Sequence, residues 1–143
     1  MSTERQILEA LQKAVTAAVA ASANPSLPVK YVGRTFKTPN SGMWLEVLYI
    51  PNNILNEFWD ESKTYQGILR LLFHSIMDDS GAYAATDLAE SVASYFAKGL
   101  TLTDPSESVN VRIVENANLL SIIEQAPEML LPVSIRYQFF KPA

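Results

Sequence analysis

The chain has 143 residues, 48% of them hydrophobic and 18% charged. That is too apolar for a disordered chain, and the length fits one domain over residues 1–143. Eleven Lys and Arg against 15 Asp and Glu give a net charge of -4, which speaks against a basic nucleic-acid or membrane-surface binder. With no cysteine and a single histidine, disulfide scaffolds, thiolate zinc sites and cysteine nucleophiles are excluded, and any site that needs a histidine rests on His74.

In chain order, Ile7, Leu8, Leu11, Ala14, Val15, Ala18 and Val19 recur at helical spacing and predict an amphipathic first helix. Thr3 and Gln6 have the spacing of a capping box, and Asn24-Pro25 stops the helix. The N-terminus runs straight into this pattern and does not read as a signal peptide. No apolar run reaches the roughly 18 residues of a membrane span. A short strand is expected over Val29–Arg34, then turn chemistry at Thr38-Pro39-Asn40-Ser41-Gly42. Trp44–Ile50 is β-rich and ends at Pro51, with large apolar groups on both faces, as in a strand covered on both sides.

Residues 51–64 read as a polar loop insertion that nevertheless carries Ile54, Leu55, Phe58 and Trp59. These four either fold back on the core, as a lid or a helical turn, or serve as anchors for another chain, since aromatic anchors are enriched in interface cores. Tyr65–Ser75 reads as a long strand with Ile68, Arg70, Leu72 and His74 on one face and Leu69, Leu71 and Phe73 on the other. Gly67, near its start, fits a bulge or a close backbone approach. Asp79 or Ser80 is expected to cap a second helix over 82–98, with Ala85, Leu88, Ala89, Val92 and Phe96 buried and Gly99 as its stop. Leu100-Thr101-Leu102 leads into a turn at Asp104-Pro105-Ser106. Alternating strands follow at 109–115, 119–124 and 129–140. In the last, Met129, Leu131, Val133, Ile135, Tyr137 and Phe139 share one face, and Leu130, Pro132, Ser134, Arg136, Gln138 and Phe140 the other. Pro132 lacks a ladder donor, which predicts an edge or a bulge there. The expected fold is α+β, a mostly antiparallel sheet with two helices packed on it.

Little here points to catalysis. His74 has no Ser-centred elbow, HExxH pattern or second histidine beside it. Asp78-Asp79 fits helix capping better than metal binding. Glu124 and Glu128 read as a solvated pair flanking a turn. Arg34, Lys37, Arg70, Arg112 and Arg136 are scattered along the sequence rather than striped. No enzyme activity, metal or cofactor is expected; by elimination the chain reads as a structural or assembly protein.

Taken together, the order of segments resembles the small tail-terminator proteins of tailed bacteriophages. The resemblance rests on the Ala-rich opening helix, Trp44-Leu45-Glu46-Val47 running to Pro51, and the strand from Gly67 to near Met77. It rests also on the Gly81–Gly99 helix with Leu88-Ala89-Glu90 and Tyr95-Phe96, and on Leu131-Pro132-Val133-Ser134-Ile135. The Asn52–Thr64 segment departs from the family's pattern, being longer and more aromatic. The resemblance implies a virion protein assembled in the host cytoplasm. It implies a self-associating ring, typically a hexamer, on the head-proximal end of the tail tube. Such a ring contacts the tail tube protein, ends tube polymerisation and offers a surface to the neck or head-completion protein. Genomic DNA passes through its channel without specific binding, in keeping with the acidic balance, and no membrane is involved. The expected subunit or tube contacts are Ile54, Leu55, Phe58, Trp59, Arg136 and Gln138. Ring closure through sheet edges is expected at the last strand or the Val109 strand. Other readings are a different head-tail connector or neck completion protein, a small hydrolase or ligand-binding domain using His74 and Arg70, and a host-encoded interaction module.

Overall fold

The computed structural model describes residues 2–39, 42–56, 59–78 and 81–142. Helix α1 spans Thr3–Ala20 and buries Ile7, Ala10, Leu11, Ala14, Val15, Ala18 and Val19. Its cap sits one residue earlier than the sequence pattern predicts: the Ser2 hydroxyl accepts from the Arg5 N–H at 3.2 Å. The small Ala side chains of this stripe let the helix lie close to what it covers.

The strands are β1 (Val29–Lys30), β2 (Trp44–Pro51), β3 (Lys63–Ile76), β4 (Thr101–Thr103), β5 (Asn110–Ile113), β6 (Asn118–Leu119), β7 (Ile123–Gln125) and β8 (Glu128–Lys141), with α2 (Tyr83–Ala93) between β3 and β4. They form one eight-stranded sheet in the order β1-β2-β3-β8-β5-β4, with β6 and β7 also paired to β8. β3 and β8 pair along their full length, from Lys63 opposite Lys141 to Ile76 opposite Glu128. β1 and β2 run parallel. Residues 31–43 supply the dozen or so residues that a parallel return needs. The Gln12 side chain holds this connection against α1 by accepting from the Val32 N–H at 2.9 Å.

The expected α+β arrangement is therefore corrected: the fold is mostly β, a mixed sheet carrying two helices among the described residues. Two features hid this from sequence reading. Thr101–Thr103 is a strand where a turn approach was expected, and the expected 119–124 strand is two short pieces, β6 and β7. Helix α2 is also shorter than expected, so Gly99 does not end it. Its N–H instead bonds the Ile113 carbonyl at 2.8 Å, at the entrance to β4. The capping role of Asp79 or Ser80 lies outside the described residues.

Pro132 does not mark an edge. β8 is interior, with β3 on one side and β5, β6 and β7 on the other. The Pro132 carbonyl accepts from the Leu120 N–H at 2.9 Å. A strand residue's N and C=O point to the same side, so the missing donor faces the break between β6 and β7 and costs the β3 ladder nothing. β5 also has partners on both sides. The two strands expected to close a ring edge to edge are thus both occupied within the chain.

One face of the sheet is the inner one. Leu45 and Val47 of β2, Leu69, Leu71 and Phe73 of β3, Val111 and Ile113 of β5, and Leu131, Val133, Ile135 and Tyr137 of β8 form one buried cluster with the apolar stripes of α1 and α2. Phe96, just beyond α2, is fully buried in it. Asp104 organises the β4–β5 connection. Its carboxylate accepts from the Ser106 hydroxyl and from the N–H groups of Ser108 and Val109 at 2.7 and 2.8 Å. The Ser106 bond, ahead of the backbone donors, holds this carboxyl below the usual carboxylate range.

Candidate functional site

Strand alternation sends every second side chain of β2, β3 and β8 to the opposite, outer face, which carries no helix among the described residues. Leu48, Ile68, Leu72 and Leu130 are half-buried there, Ile50 is exposed, and Pro132 is buried. Register aligns these residues into rows. Leu48, Arg70 and Ser134 form one, Ile50, Ile68 and Arg136 the next, and Gln66, Gln138 and Arg112 a third. Arginines that are far apart in sequence thereby share one face of an acidic protein. Arg136 is well exposed and lies 3.7 Å from Glu115, a surface pair worth little on its own. Arg70 is half-buried at the centre, and its Nε is buried with no hydrogen-bond partner among the described residues.

A second cluster occupies the other end of this face. The rings of Trp44 and His74 stack at 3.7 Å between centroids, and Phe36 stacks on Trp44 at 5.1 Å. Nε2 of His74 lies 2.9 Å from Glu46, and Nδ1 contacts Glu128. Lys30 stands 3.9 Å from Glu46. His74 and Arg70 share a face, as the alternation predicts. Yet His74 is buried and pinned by stacking and two carboxylates, an arrangement that fastens β2, β3 and β8 together. Glu128 is a partner of His74 and not half of a solvated pair. Among the described residues no group of three or more His, Asp or Glu side chains could hold a metal ion, and no helix is long and apolar enough to cross a membrane.

The β2–β3 connection continues the hairpin briefly. Leu55 and Thr64 exchange N–H to C=O bonds of 2.9 and 2.7 Å, so Leu55 is half-buried. Ile54 is 46% exposed, and Trp59 is 107% exposed, with its ring wholly in solvent. Asp60 turns the tip by accepting from the Ser62 N–H at 2.9 Å and from the Ser62 hydroxyl, which keeps its carboxyl below the ordinary range. Neither the lid nor the helical turn is formed by the described part of this segment. Phe58 lies outside the described residues.

Of the expected contact residues, Arg136 and Gln138 share the outer face, whereas Ile54, Leu55 and Trp59 belong to the connection beyond the end of β2. Sequence spacing missed the gathering of Arg70, Arg112 and Arg136, because cross-strand register and not linear distance brings them together. The signal available was parity: Arg70 and Arg136 both fall on the less apolar face of their strands.

The profile of a family described as "Phage tail terminator protein" matches residues 6–137. No curated protein matches the sequence. One solved chain superposes with a TM-score of 0.80 at 20% identity, covering 100% of both chains. A chain from a structure titled "Virion of native gene transfer agent (GTA) particle" superposes with a TM-score of 0.61 at 12% identity, covering 98% of both. At such identities these two likenesses speak for the fold.

Proposed function

We infer the function from one premise: the chain belongs to the phage tail terminator family, whose profile spans residues 6–137. It is accordingly a structural tail protein of the virion. Beyond that, we propose that copies of it close into a ring, of six subunits, on the head-proximal end of the tail tube. The ring ends tube polymerisation and leaves a surface for the neck or head-completion protein. Capping of this kind needs two unlike ends, one that imitates a tube subunit and one that does not. The family match carries the reading. The uncovered outer face of the sheet supports it, because large apolar side chains left half-exposed beside arginines are the usual makings of an interface. An acidic ring also suits a channel through which DNA slides without adhering.

The test is the solution mass by light scattering after size exclusion, at several concentrations, followed by addition to polymerising tube protein. A closed particle of six times 15.8 kDa that halts tube growth is the expected result. A chain that stays monomeric and leaves tube lengths unchanged rules the reading out.

A further inference from the structure

We propose that the tip of the β2–β3 connection of one copy seats on the arginine-bearing outer face of a second copy, with Trp59 as its apolar anchor and Glu61 as its carboxylate. The proposal rests on the ring reading only in that copies of the chain meet; it adds which two surfaces meet.

Two observations point to each other. The first is Trp59, at 107% exposure. Among the described residues nothing gives it a pocket, although an indole buries roughly 150–250 Å² when it finds one, and tryptophan is prominent among residues that dominate interfaces. Glu61 beside it is exposed and forms no ion pair within 4 Å among the described residues, although Lys63 and Lys141 line the same open cleft. The second is the Nε of Arg70, buried without a hydrogen-bond partner. A guanidinium nitrogen removed from water and left unpaired is costly, and a carboxylate is the group to which its planar fork donates best. Leu48, Ile50 and Ile68 flank that arginine and offer an apolar bed to the ring, while Arg136 can lie over an indole face. An acidic, aromatic tip thus complements a basic, apolar face.

The occupant is a second copy because a chain cannot serve itself. The tip leaves the sheet at Lys63, seven strand residues from Arg70, about 23 Å at the rise of a β-strand. Tip and face are different surfaces of one molecule, and in the ring reading each tip meets the face of the next copy, a heterologous contact that propagates from subunit to subunit until the rotation closes.

The natural chain has no cysteine, which permits a clean test with two single-cysteine proteins, Asp60→Cys at the tip and Ser134→Cys beside Arg70. Mixed and mildly oxidised, they are expected to form the 60–134 disulfide at least tenfold in excess of either homodimer. Adding Trp59→Ala to the first protein or Arg136→Glu to the second should cut that yield at least tenfold. Circular dichroism verifies that each variant is folded. Homodimers in equal yield, or indifference to both added substitutions, overturn the contact. A particle of six subunits without the 60–134 bond refutes the contact and leaves the ring standing. A monomer by light scattering that still forms the bond does the reverse. Loss of tube binding in Trp59→Ala, with no 60–134 bond, would assign the tip to the tube protein and overturn the proposal.

Discussion

Gly67 shows how one residue can be dictated by what crosses it. A Cβ built there would lie 2.5 Å from the Ile50 carbonyl oxygen, 2.5 Å from the Tyr137 hydroxyl and 2.9 Å from Pro51 Cα. Two of these are backbone atoms, which cannot swing away. Gly67→Ala should cost about 1–3 kcal/mol, the usual range for overpacking, read as a lowered midpoint in urea. Adding Tyr137→Phe should recover only part of the loss, since the backbone clashes remain. The same tyrosine belongs to a titrating cluster. Tyr49 and Tyr137 stack at 5.8 Å, and the Tyr49 hydroxyl donates to Glu4. Burial, and then the bond to Glu4, push the Tyr49 hydroxyl far up, and burial pushes Tyr137 up to about 12. An unfolded tyrosine ionises near pH 10. Both folded-state values are raised, so this stability is intact below about pH 10 and is lost as pH rises through about 12. Thermal midpoints should fall across that window, and Tyr137→Phe should make the fall shallower.

Helix α2 tests whether its apolar stripe faces the sheet. Leu88 is 2% exposed within the core cluster. Truncating such a leucine to alanine alone costs about 2–5 kcal/mol, and an unpaired carboxylate adds a desolvation penalty. Leu88→Asp should therefore unfold the protein at room temperature, seen as loss of the cooperative dichroism transition; a soluble, cooperatively melting variant would show that the stripe faces elsewhere. The elements that sequence reading located best are those whose burial has a period. The stripe of α1 and the alternations of β3 and β8 could be read directly from Ile7 to Val19, Ile68 to His74 and Met129 to Phe140. Two- and three-residue strands are too short to display a period: β4 was not expected as a strand at all, and the expected 119–124 strand is split into β6 and β7. The site follows the same division. The face on which Arg70 and His74 stand could be read from alternation. That Arg112 and Arg136 join Arg70, or that Glu46 and Glu128 bracket His74, depends on pairing register, which a single strand does not encode.

The molecule as a whole depends on β8, the strand with most partners among the described residues. It contacts β3, β5, β6 and β7 and supplies Leu131, Val133, Ile135 and Tyr137 to the core. Removing residues 127–143 should abolish the fold rather than trim a tail, giving a disordered circular dichroism spectrum; a truncated chain that keeps a β spectrum and a cooperative melt would contradict this architecture. At the two ends of the sheet the picture inverts. The outermost strands, β1 and β4, are only two and three residues long. Each offers few backbone groups to another strand, but β1 pairs with β2 only opposite Leu45 and Glu46, so residues 47–51 of β2 have no partner strand on that side among the described residues. That stretch is where a strand from outside the chain would find backbone groups to pair with.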